Sequence, residues 1–128
     1  MSLSLLIVDD SMMMRTFIRR VLEAAGFGDA EQHTARDGNE ALDVLRSHPV
    51  DLVISDINMP GLDGEGLLER LSADPRLCGI PVLMVSSDAT QTRACRLLEK
   101  GARGYIVKPF HPEDLKAEMD RILEERHA

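Results

Sequence analysis

Four short stretches carry side chains that could do chemistry together: Asp9-Asp10-Ser11, Asp56, Ser86-Ser87-Asp88 and Lys108-Pro109. Three crowded aspartates raise one another's pKa and repel unless a cation neutralises them. An oxygen-only set suits a hard divalent ion such as Mg2+, held by a few carboxylates plus waters. An ammonium and a hydroxyl beside that ion would complete a cradle for a phosphoryl group. Taken singly, each stretch has a plainer use. Asp10 or Ser11 can cap a helix, Asp56 can begin a solvated turn, Ser86 with Asp88 can cap another helix, and Lys108-Pro109 can be a bend. The plain uses do not account for the combination.

Each stretch directly follows an apolar run of strand length. Leu5-Leu6-Ile7-Val8 precedes Asp9, Leu52-Val53-Ile54 precedes Ser55-Asp56, Pro81 to Val85 precedes Ser86, and Tyr105-Ile106-Val107 precedes Lys108. Unbroken apolar runs of this length are the mark of strands buried on both faces. Ala30 to Ala35 is a weaker strand, polar enough for an edge. Between the strands lie helical patterns. Met14, Phe17, Ile18, Val21 and Leu22 recur at helical spacing, with Gly26 as a C-terminal stop. Asp37 and Glu40 resemble a capping box for a helix through Ala41, Leu42 and Leu45 that must end before His48-Pro49. Leu67, Leu68 and Leu71 mark the third helix, after the loop Asn58-Met59-Pro60-Gly61. Ala94, Leu97 and Leu98 share a face of the fourth, which Gly101 ends. Pro112 suits the first turn of the fifth, striped by Leu115, Met119, Ile122 and Leu123.

Five strand–helix units with no internal linker predict one α/β domain over residues 1–128, a doubly wound parallel sheet with helices on both faces. In such sheets ligands bind at the carboxyl ends of the strands, near the point where strand order reverses. All four candidate stretches fall at those ends.

Composition narrows the function. The chain has 128 residues, 44% hydrophobic and 29% charged, which is ordinary for a folded domain. A formal charge of −7 argues against non-specific affinity for nucleic acid or anionic membrane. The apolar start is too short for a signal core or a membrane span. Cys78 and Cys95 form no metal or redox motif and are expected to be buried or half-buried free thiols in a cytoplasmic protein. Met14 is expected in the core, and Met12 and Met13 at the rim of the site.

The residues Val8-Asp9-Asp10-Ser11, Val53-Ile54-Ser55-Asp56-Ile57-Asn58-Met59-Pro60, Asp63-Gly64, Val85-Ser86 and Gly104-Tyr105-Ile106-Val107-Lys108-Pro109-Phe110 resemble the receiver domain of two-component response regulators. The likeness spans essentially the whole chain. Met14-Arg15, Asn58-Met59-Pro60 and Met84-Val85 bring it nearest to stand-alone chemotaxis-type regulators. The resemblance implies a flavodoxin-like fold with strand order 2-1-3-4-5, an order for which the chemotaxis regulator is itself a standard example. It implies that Asp56 accepts a phosphoryl group from a histidine kinase. Asp10 and Asp56 would bind Mg2+ with the backbone carbonyl of Asn58, and Asp9 would act directly or through water. Lys108 and Ser86 would hold phosphoryl oxygens. Ser86 and Tyr105 would form a switch that reshapes the surface of the fourth helix, fifth strand and fifth helix for a protein partner. Core filling is the simpler use of Tyr105. In the family the Lys108-Pro109 bond is cis. Ser86 and Ser87 stand where Thr and Ala or Gly are commoner, which keeps the hydroxyl and narrows access slightly.

Such a chain is no enzyme in the usual sense, catalysing only its own phosphorylation and dephosphorylation. It is expected as a monomer or weak dimer, with no nucleic acid or membrane partner. A phosphate carrier in a multistep relay, or the receiver part of a longer protein, is the alternative. A haloacid-dehalogenase-type hydrolase would need a second Asp where Asn58 stands, and an amide cannot carry the proton. A flavin module would need a phosphate loop where Asp9-Asp10 would repel phosphate.

Overall fold

A computed structural model describes residues 3–127, with side-chain surroundings as far as Glu125. Met1, Ser2 and Ala128, the ends of the predicted domain, lie outside the described residues. Five strands alternate with five helices: β1 Ser4–Val8, α1 Met12–Leu22, β2 Glu31–Ala35, α2 Gly38–Ser47, β3 Leu52–Asp56, α3 Gly64–Ala73, β4 Val82–Ser86, α4 Gln91–Glu99, β5 Gly104–Val107 and α5 Pro112–His127. All pairings are parallel and the order is β2-β1-β3-β4-β5. The doubly wound architecture and its strand order are therefore as expected.

The sheet separates two apolar layers because successive strand side chains point to opposite faces. Leu6, Val8, Val53 and Met84 face α2, α3 and α4 through Leu42, Leu67, Leu71 and Leu97. Leu5, Ile7, Ile54, Leu83 and Val85 face α1 and α5 through Ile18, Leu22, Leu115, Met119 and Ile122. Burial on both sides explains why the central strands read as unbroken apolar runs. β2 is one of the two edge strands, and of its five residues only Ala35 is fully buried.

Helix ends follow the local chemistry. Ser11 caps α1 by accepting the Met14 N–H, and Asp37 caps α2 by accepting that of Glu40. The Glu40 carboxylate turns instead to Arg36, so the box is half made. α1 runs on into one wider π turn, Glu23–Phe27, in which Gly26 takes φ 98°. Only glycine adopts that backbone cheaply, which is why the helix stops there.

Four expectations need correction. Cys78 and Cys95 are exposed. Cys95 precedes Leu97 by two residues, which rotates it to the opposite face of α4. Leu98 is 45% exposed, since α4 meets the body through Leu97 and little else. Phe17 lies at the margin of the α1 stripe, 36% exposed, with its ring edge-on to Phe110 at 5.6 Å. Met14 is half-buried, while Met12 and Met13, directly after the capping Ser11, are exposed.

Candidate functional site

Parallel register builds the site. Val8 stands beside Ser55, so the next residues, Asp9 and Asp56, leave neighbouring strands together at the carboxyl edge. Asp56 pairs with Val85, and Ser86 is one residue further along the adjacent strand. Ser86 pairs with Val107, and Lys108 follows, its N–H donating to the Ser86 carbonyl at 2.8 Å. The Lys108-Pro109 peptide is cis.

Carboxylate oxygens of Asp9, Asp10 and Asp56 lie within 4.8 Å of one another. Asp9 is 1% exposed, Asp56 half-buried and Asp10 exposed. The Lys108 ammonium reaches across β4 to lie 3.4 Å from Asp56 Oδ1 and 3.6 Å from Asp9 Oδ2. The second distance is an ion pair too long for a hydrogen bond. Asp9 Oδ1 accepts the Ser11 N–H at 2.9 Å, whereas Oδ2 is buried with no hydrogen-bond partner among the described residues.

Burial pushes the Asp9 carboxyl above the usual carboxylate range. The Ser11 amide opposes this, Asp56 adds to it, Lys108 opposes it, and Asp10 adds to it. A buried acid with an orphaned oxygen, facing two further carboxylates and one ammonium, lacks positive charge. The residues present therefore fit a hard divalent ion. Asn58, whose carbonyl was expected to join the ligands, sits exposed in the loop two residues beyond Asp56.

Ser86 is 2% exposed, and its Oγ accepts the Asp88 N–H at 3.0 Å. Tyr105 is half-buried against the β4–α4 side of the core, with its hydroxyl donating to the Asp88 carbonyl. One peptide segment thus joins the two expected switch residues. Asp88 does not cap α4, a role taken by Thr90. Ser87, beside the site, is exposed.

Two contributors were only partly legible in the sequence. A Cβ on Gly64 would lie 2.3 Å from the Asp56 carbonyl and 2.8 Å from Ile57 Cα. Only glycine lets the start of α3 approach the backbone of the candidate acceptor so closely. Asp63-Gly64 stood out as a motif, but its reason is tertiary. Arg15 reaches back from α1, its Nη1 donating to the Asp9 carbonyl at 2.7 Å. Nothing in the spacing signals that contact.

The chain matches the response regulator receiver domain over residues 5–120. It belongs to that family. Among curated proteins it is 38% identical to chemotaxis protein CheY-3 of Vibrio cholerae over 123 residues, covering 96% of this chain and 93% of that protein. It is 39% identical to chemotaxis protein CheY of Pseudomonas aeruginosa over 122 residues, covering 95% and 97%. Among solved structures, the chemotaxis response regulator CheY4 of Vibrio cholerae superposes with a TM-score of 0.85 at 32% identity, covering 96% of this receiver and all of that chain. The chain is thus a CheY-like receiver, as its motifs suggested. No helix among the described residues is long and apolar enough to cross a membrane.

Proposed function

We propose that this receiver is a phosphorylation-activated switch of a two-component phosphorelay, working in the cytoplasm. Asp56 takes a phosphoryl group from a phosphohistidine of its kinase, and the surface of α4, β5 and α5 then controls a protein partner. The observation that carries the reading is the Asp9–Asp10–Asp56 cluster with the Lys108 ammonium set between Asp9 and Asp56.

The chemistry follows from charge. An Asp56 carboxylate oxygen forms the new P–O bond as the donor's P–N bond breaks, and a carboxylate nucleophile has no proton for a base to remove. Asp9, Asp10, Asp56 and the Asn58 carbonyl would hold Mg2+, which supplies positive charge to the phosphoryl oxygens. Lys108 neutralises a further phosphoryl oxygen. Ser86 Oγ accepts the Asp88 amide and keeps its own proton to donate to the phosphoryl group. When Ser86 moves to make that bond, Asp88 shifts and the Tyr105 hydroxyl loses or changes its acceptor. The chain catalyses only its own phosphorylation and dephosphorylation, leaving the dephosphorylated histidine of the donor in the first and inorganic phosphate in the second.

The test is incubation with acetyl phosphate and Mg2+, followed by mass mapping. One added phosphoryl group on Asp56 is expected. Labelling of Asp56→Asn at the wild-type level would sink the assignment. If a beryllofluoride complex changes the pocket and leaves α4 and Tyr105 untouched, the protein is a phosphate carrier in a relay instead.

A further inference from the structure

We propose that Arg15 is a positioning residue for the divalent-ion site, acting through the backbone of Asp9 to aim Asp10. The inference rests on the reading above. The turn Asp9-Asp10-Ser11 links the last residue of β1 to the first turn of α1, and Arg15 grips it twice. Its backbone N–H donates to the Ser11 carbonyl at 3.0 Å, and its Nη1 donates to the Asp9 carbonyl at 2.7 Å.

The other polar groups of Asp9 are engaged differently. Its N–H donates to the Ala35 carbonyl, Oδ1 accepts the Ser11 N–H, and Oδ2 faces Lys108. The carbonyl lies past the paired part of the strand, and a buried carbonyl left without a donor would be costly. That carbonyl also belongs to the peptide unit joining Asp9 to Asp10. Six atoms of this unit are coplanar, so a hydrogen bond that fixes its oxygen also fixes the plane from which the Asp10 Cα–Cβ bond departs. Asp10 is the exposed member of the carboxylate cluster. Its aim is set from the backbone.

A charge effect would have the opposite sign. Were Arg15 chiefly a cation beside the site, removing it would tighten binding of a divalent ion. A positioning role predicts looser binding, as for outer-shell partners that orient metal ligands.

Mg2+ titration followed by calorimetry, on wild type and Arg15→Met at one ionic strength, separates the two. A loss on the order of tenfold in Mg2+ affinity is expected for Arg15→Met. In an Asp10→Ala background the same substitution should cause no further loss, because the residue it aims is gone. Thermal unfolding without Mg2+ accompanies each titration. Should Arg15→Met not fold, Arg15→Gln carries the same expectation, being helix-compatible yet too short to reach. Affinity equal to or tighter than wild type, or a full loss that persists without Asp10, overturns the proposal. Failure of the wild type to bind Mg2+ would instead overturn the phosphorylation reading, and this inference with it.

Discussion

At the scale of the residue, Asp9 shows what the site costs. Burial, Asp56 and Asp10 together hold its carboxyl above the ordinary value of 3.8. A carboxyl with a raised folded pKa binds protons more readily in the native state. Its favourable contribution is therefore complete below the unfolded pKa and disappears as pH rises through the folded one. In the metal-free protein, stability should fall across that window, and Asp9→Asn should abolish the fall and be more stable at neutral pH. Urea unfolding as a function of pH checks this; parallel profiles for the two proteins would show that Asp9 is not the strained group. Mg2+ should raise the thermal midpoint of wild type by binding the native state alone. Asp10→Ala should lose most of that rise, and an undiminished rise would remove Asp10 from the ligand set.

Two elements depend on unusual contacts. α3 begins at Gly64 against the Asp56 backbone, closer than any side chain allows. Gly64→Ala must push the two apart, at an expected cost of about 1–3 kcal/mol by overpacking. Phosphorylation by acetyl phosphate should slow with it, since the acceptor's own backbone is displaced. Wild-type stability and rate would show that the contact relaxes freely. Beyond the buried Leu97, α4 is held by charge. Glu65 of α3 lies 2.8 Å from Arg96 and 3.0 Å from Lys100, and Lys100 also reaches Glu69 at 2.6 Å. The hydrogen bond from Lys100, with Arg96 adding to it, lowers the Glu65 pKa below 4.5. The stabilisation is present above that ordinary value and is lost as pH falls through the lowered one. These groups are largely solvated on the α4 side, so Glu65→Gln should cost less than about 1 kcal/mol globally. Amide exchange in α4 should nonetheless speed up, because only Leu97 anchors it from within. Unchanged exchange there would mean that the clasp holds nothing.

In the proposed switch, the whole molecule would couple the phosphoryl site to a surface through one short path, Ser86 to Asp88 to Tyr105. A ligand shifts an equilibrium only by its differential affinity for the two states. Here the difference lies in the Ser86 hydroxyl and the Lys108 ammonium, each able to bond a phosphoryl oxygen. Ser86 passes it on through Asp88, which carries the Tyr105 hydroxyl on its carbonyl. Ser86→Ala should thus still bind beryllofluoride, yet give much smaller chemical-shift changes at Tyr105 and over residues 89–100. Shifts of full size in that variant would place the coupling elsewhere. The lightly anchored α4 is the element such a signal can move, since little packing has to break.

Much of this architecture could be read from residue types and order alone. The unbroken runs at Leu5–Val8, Leu52–Ile54 and Val82–Val85 required strands buried on both faces, and the helical stripes between them required a doubly wound parallel sheet. Parallel strands then had to deliver Asp9, Asp56, Ser86 and Lys108 to one edge. These are consequences of local periodicity, which the chain carries in its own order. Side-chain exposure on thinly supported elements was not legible. Cys95, Leu98 and Phe17 depended on how deeply α1 and α4 seat, which is set by partners distant in sequence. The reach of Arg15 to the Asp9 carbonyl, the clearance at Gly64 and the passage from Ser86 through Asp88 to Tyr105 are likewise tertiary. Each depends on a distance between backbone segments that only the closed, packed sheet determines.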